Sequence, residues 1–274
     1  RSVAPVQALV RAADKGRVAG ARHSFNASAD TTGALVCLRA LERRLEIDAV
    51  ARTVTIDGGM TYAELCPALD AAGWALANLP SVPDFTVAGA VSTATHGSGN
   101  ANRNLAAAVS ALEIVTASGD LVALKRGEPD FDGAVVALGA LGAVTALTLD
   151  LVPRFEVRQH VFHRLPFEGV ADDFEALMGS AYSVSLFTHW TGDVVDQAWL
   201  KGLAGEPVPG ATFFGGTPAP GESSPIVGRE PYGTTAQLGV PGPWFDRLPH
   251  ARIGALPAKG YEYQSEDVLA RAHA

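Results

Sequence analysis

The run NLPSVPDFTVAGAVSTATHGSG, from Asn78 to Gly99, constrains what this chain can fold around more than any other stretch. It sets Ser81, Thr86, Gly89, Thr93, His96 and Gly97 among small and turn-forming residues. Backbone N–H groups and hydroxyls are then presented with few side chains to block a close approach, which is what a pyrophosphate-bearing ligand requires. An isolated THGSG would suit an ordinary glycine-rich connector; a run of this length suits one poorly. A second segment, GARHSFN, puts His23 directly after a strand, between Gly20 and Ser24, where small neighbours leave the backbone approachable. Taken alone, a histidine on such a turn is more often solvated or capping.

Around these two segments short strands and short helices alternate. The periodicity predicts a helix from a Ser2 cap to a Gly16 stop, then strands at RVAGA and ALVCL and two more in RLEIDAVARTVTIDGG, joined near Ala49. TYAELCPALDAAG reads as a helix, with Thr61 and Glu64 as a capping box and Gly73 as its close. Ser118 to Asp120 form a hairpin turn, PDFDGAVVALGALG a short helix, and AVTALTLDLVP a strand that ends an α+β unit near Pro153. Beyond it, FEVRQHVFHRL, SVSLFTHW and DQAWLKGL read as strands, Phe167 to Met178 as a helix, and Gly202 to Gly233 as irregular. The end, QSEDVLARAHA, reads as the start of a helix, and the chain is expected to be truncated at both ends.

Lys and Arg total 21 against 29 Asp and Glu, a net charge of -8, so no surplus cation serves a nucleic-acid backbone or an anionic membrane. No apolar run approaches the roughly 20 residues of a membrane helix, so a soluble protein is expected. Cys37 and Cys66 sit in apolar patterns without metal spacing, which fits a reducing cytoplasm. His160 and His163 fall on opposite faces of a strand, so no metal site is expected there. There is no GxSxG elbow and no GxGxxG after a strand, and Trp74, Trp190, Trp199 and Trp244 read as core anchors.

GARHSFN followed by SVPDFTVAGAVSTATHGSG, ALEIVTASGDLV and GAVVALGALGAVTALTLDL resembles the FAD-binding domain of the vanillyl-alcohol-oxidase superfamily, in its alditol and xylitol oxidase subgroup, relatives of the aldonolactone oxidases. Later blocks, AYSVSLFTHW, LGVPGPWFDRLPH and YEYQSE, extend the resemblance. It implies a PCMH-type FAD-binding domain over residues 1–153, followed by part of a substrate (cap) domain with an antiparallel sheet over 154–274. It implies FAD, linked covalently through His23. Val18, Ala19, Gly20, Ala21, Arg22 and Ser24 would line the cofactor, with Thr86, Gly89, Thr93, His96, Gly97, Gly142 and Val144. Ser81 would sit at the flavin's reactive edge beside the substrate hydroxyl.

The reaction so implied is oxidation of the CH–OH group of a polyol or sugar-derived substrate, with molecular oxygen as acceptor and hydrogen peroxide as product, by a monomer. Alternatives are a sugar-lactone oxidase or dehydrogenase, and a truncated, non-catalytic flavin-binding protein. The chain departs from the subgroup's pattern at Pro80 and Asp84, flanking Ser81, and at Arg103 in NRNL. The carboxylate, arginine and lysine that handle the alcohol in the family would lie beyond the YEYQSE block, and the family's first strand would precede Arg1.

Overall fold

The computed structural model describes residues 2–255 together with 266, 267 and 269. The end expected to start a helix lies outside them apart from Glu266, Asp267 and Leu269, and so does the YEYQSE block apart from Glu266. The described chain opens with α1 (Ala4–Ala12), β1 (Gly16–Ala19) and β2 (Ala34–Cys37), followed by β3 (Leu45–Asp48) and β4 (Thr53–Asp57). Next come α2 (Tyr62–Ala71), β5 (Trp74–Ala75), α3 (Val87–Ser92), β6 (Val109–Val115), β7 (Leu121–Lys125), α4 (Phe131–Val135), β8 (Ala143–Asp150) and β9 (Val152–Pro153). The remainder is β10 (Glu156–Pro166), α5 (Phe167–Asp172), α6 (Phe174–Gly179), β11 (Ser183–Phe187), β12 (Val194–Leu203), β13 (Thr217–Pro218) and β14 (Gly242–Pro243).

Antiparallel pairing orders the first sheet β3-β4-β8-β6-β7, while β1 and β2 form a separate parallel pair. Strand alternation sends Val54, Ile56, Leu112, Ile114, Leu147 and Leu149 to one face, where they meet Leu65 and Leu69 of α2 and Val87 and Val91 of α3. Each such buried side chain contributes about 1.5–3 kcal/mol. The second sheet, β11-β12-β10-β13 with β14 also on β10, packs Phe162, Val184, Ala198 and Leu200 against Val170 of α5 and Leu177 of α6. Trp244 and Leu248, far along the chain, are inserted into the first core, and β5 pairs with β9 beside the junction of the two sheets.

The capping box of α2 is present in full: Glu64 N–H donates to Thr61 Oγ1, and Thr61 N–H donates to Glu64 Oε2 at 2.9 Å. Arg43 then bridges Glu64 at 2.8 Å and the buried Asp57 at 3.1 Å, and Asp57 accepts from Gly59 N–H at 3.0 Å. This network fixes the Gly58–Gly59 turn that enters the site described below.

Several expectations change. The first helix starts at Ala4, with Pro5 in its first turn, and ends at Ala12, so neither Ser2 nor Gly16 delimits it. The helix expected over Phe167 to Met178 is two, because Asp173 leaves helical geometry at φ -139. In PDFDGAVVALGALG only Phe131–Val135 is helical; the glycines after it turn left-handed at Gly139 and Gly142. Trp199 and Trp244 are core anchors as expected, but Trp190 is 81% exposed, standing at φ 55 on the turn between β11 and β12.

Candidate active site

At Gly20 the chain leaves β1 and runs against the start of α3. A Cβ on Gly20 would collide with the Thr86 hydroxyl, and one on Gly89 would lie 2.7 Å from the same oxygen, so only glycine at both positions lets the two backbones touch. The segment GARHSFN and the run from Ser81, separate in the sequence, thereby become adjoining walls of one cavity of about 1520 Å³. That exceeds the ~300–1,000 Å³ typical of pockets for drug-sized ligands.

Val18, Ala19, Gly20, Ala21, Arg22, His23 and Ser24 form one wall; Ser81, Thr86, Gly89, Thr93 and His96 form the next; Gly142, just before β8, and Val144 within it add to the lining. Gly97 is the exception among the expected residues. It is packed against the Asn78 side chain and, at 2.5 Å from where its Cβ would stand, the Leu79 carbonyl, behind the lining.

The His23 ring packs on Phe85, with centroids 4.8 Å apart. Among the described residues, no hydrogen bond occupies the N–H groups of Ala21, Arg22, His23 or Ser24, and Arg22 is held at φ 63. Leu138, across the cavity, is likewise left-handed at φ 52. Such strain in non-glycine residues gathers at ligand-holding segments. Free N–H groups on a glycine-flanked turn, with glycines that bring backbone close to backbone, suit the phosphates and rings of a dinucleotide. The residues present therefore fit FAD.

Thr93 donates its hydroxyl back to the Gly89 carbonyl at 3.0 Å. His96 is engaged on both nitrogens, with the Gly97 carbonyl at 2.8 Å and Glu266 at 2.5 Å, and these partners raise its pKa above the ordinary histidine value despite partial burial.

Phe187 and His250 close the side nearest the second sheet. His250 was missed in the sequence, as were Phe187 and the Gly58–Gly59 turn. The glycine doublet after β4 was a readable signal; nothing local marks His250. Behind it lies Lys201, 1% exposed, its ammonium donating to the Leu248 carbonyl. Burial pushes Lys201 down to about 7.

This gives a signed expectation. An unfolded lysine titrates near 10.4, so between about pH 7 and 10.4 the unfolded chain binds the extra proton. The penalty is fully present below pH 7, and stability climbs as pH rises above it. Lys201→Met is expected to stabilise the protein by about 1–3 kcal/mol at pH 7, after loss of the Leu248 hydrogen bond, and to flatten that climb. Thermal unfolding from pH 6.5 to 9 measures both.

Residues 1–125 match the FAD binding domain family. That match, with the fold and the cavity described above, makes the chain similar to FAD-binding proteins. Among these it is similar over most of its length to alditol oxidase from a Streptomyces species: 49% identical over 262 residues, 94% of this chain and 62% of that protein. An L-gulono-1,4-lactone dehydrogenase of Mycobacterium tuberculosis is 37% identical over 155 residues, 56% of this chain and 36% of that protein. The chain thus spans less than two thirds of either relative. A cholesterol oxidase structure from B. sterolicum shares the fold, with a TM-score of 0.66 at 17% identity over 75% of this chain and 44% of that one.

Proposed function

We propose that this chain is the FAD-binding part, and the beginning of the substrate part, of an oxidoreductase that converts the CH–OH group of an alditol such as xylitol to a carbonyl, with molecular oxygen as acceptor. Residues 1–153 would hold the cofactor and 154–274 would contribute to the substrate side. The observation that carries this reading is the single cavity in which His23, the Gly20–Gly89 contact and Ser81 converge, in a chain 49% identical to an alditol oxidase.

FAD, when bound, supplies the hydride acceptor. The chain's own part is to hold and exclude. Ala21 to Ser24 would offer their free N–H groups to the cofactor, His23 would anchor it covalently, and Phe85 would fix the His23 ring. Thr86 would support the wall from inside; Thr93, His96, Gly142 and Val144 would line it. Ser81 would direct its hydroxyl at the reacting carbinol, holding it where transfer is short. The net charge of -8 supports a protein that binds neither nucleic acid nor anionic membrane, and the unpaired Cys37 and Cys66 support a reducing, cytoplasmic setting for a monomer. The described residues contain no helix long and apolar enough to cross a membrane.

Oxygen uptake and peroxide formation by the purified protein with xylitol, sorbitol and an aldonolactone, each repeated with a dye acceptor under nitrogen, test the reading. Turnover of the alditols with oxygen is the expected result. Turnover of the lactone alone, or only with the dye, would replace it by the lactone-oxidising function that the Mycobacterium relative's name describes.

A further inference from the structure

Ser81 and His250, 169 residues apart, are joined three times. The backbone N–H groups of His250 and Ala251 both donate to the Ser81 carbonyl at 3.0 Å, and His250 Nδ1 lies 3.0 Å from Ser81 Oγ. Phe187 and Trp199 hold the imidazole edge-on, with centroids at 5.6 and 5.2 Å. The ring therefore has one orientation. Among the described residues its Nε2 is buried with no partner, and Ser81 is its only side-chain hydrogen-bond partner.

Two consequences follow from the chemistry of imidazole. Burial, with the Lys201 ammonium behind it, pushes His250 well below the ordinary histidine range, so the ring is neutral and carries a single N–H. If that proton sat on Nε2, a buried donor would be left unpaired; on Nδ1, it is satisfied by Ser81, and only a less costly acceptor lone pair is orphaned. Nδ1–H then donates to Ser81 Oγ. A hydroxyl whose oxygen already accepts from one side turns its own O–H elsewhere, and the open side of Ser81 is the cavity.

We propose that His250 is a positioning residue, whose Nδ1–H donates to Ser81 Oγ and thereby makes the Ser81 hydroxyl a directed donor toward the acceptor atom of whatever occupies the cavity beside it. This rests on the oxidoreductase reading for its kinetic consequence, but not for its geometry.

The test uses the FAD-loaded protein with His250→Asn, whose side-chain amide can donate from nearly the same place, and His250→Phe, which cannot. Three readouts are taken: ¹⁵N NMR of the histidine ring in the parent protein, visible absorbance and content of bound flavin, and kcat and KM with xylitol. The expected results are a protonated Nδ1 with a bare Nε2, and normal flavin content in both variants. The flavin spectrum should be perturbed in His250→Phe, as in Ser81→Ala, but not in His250→Asn. The Phe variant should lose ~10–100-fold in kcat with KM little changed, and Asn should restore most of it. Protonation on Nε2, or Asn and Phe falling equally together with flavin content and thermal stability, would overturn the proposal and leave His250 as packing. If no variant and not the parent turns over xylitol, the functional reading has failed instead, and ring protonation and the flavin spectrum still decide the role of His250.

Discussion

His23→Ala is expected to abolish retention of flavin by the denatured protein while leaving the fold intact. The ring nitrogen of a neutral imidazole is a competent nucleophile. His23 is half-buried on the cavity wall, its ring set against Phe85, on a turn whose N–H groups from Ala21 to Ser24 make no hydrogen bond among the described residues. Its removal takes away one ring contact, worth about 0.5–1.5 kcal/mol, and no hydrogen bond that secondary structure depends on. The walls formed by Gly20, Thr86 and Gly89 are untouched, so FAD should still bind, reversibly. Intact mass of the unfolded protein reads the outcome directly: the parent is expected to carry the mass of one FAD and the variant none. A variant that kept the flavin mass would place the attachment elsewhere, and a parent without it would make the cofactor a dissociable one.

The two segments that build this wall were readable in the sequence because their signal is local: glycine and small residues declare a close approach wherever they fall. The capping box at Thr61 and Glu64 and the turn at Ser118 to Asp120 were readable for the same reason, each written within four residues. The break at Asp173 was not, since the apolar spacing of Val170, Phe174 and Leu177 satisfies a continuous helix and only packing on the second sheet decides otherwise. Gly97 carried the composition of a lining residue yet faces Asn78, because sequence shows which residues could approach a ligand but not which side of the loop turns inward. His250 was the least legible. Its meaning comes from Ser81 and Lys201, which are brought to it by a β-sheet and a long irregular connection. The insertion of Trp244 and Leu248 into the first core anchors the segment that carries it.

Gly142→Ala is expected to be the most destabilising single methyl that can be added to this wall, at roughly 4 kcal/mol, with loss of FAD in parallel. Two costs combine there. Gly142 stands at φ 138, a conformation that L side chains rarely adopt, and its added Cβ would collide with the Val115 carbonyl oxygen, lying 2.9 Å from the carbonyl carbon as well. Neither can be relieved cheaply, because Val115 pairs with Ala143 at the junction of β6 and β8, in the middle of the first sheet. Gly139→Ala separates the two terms: φ is 72, but among the described residues nothing lies within 4 Å of the new methyl, so only the backbone cost of about 1 kcal/mol applies. Urea unfolding of the two variants, with flavin content measured on the same samples, gives the comparison. The strand junction shapes the cavity if Gly142→Ala loses several times the stability of Gly139→Ala and most of its flavin. Equal losses would mean that β8 can shift away from β6 without disturbing the site, and the wall formed by Gly142 and Val144 would then be compliant rather than fixed.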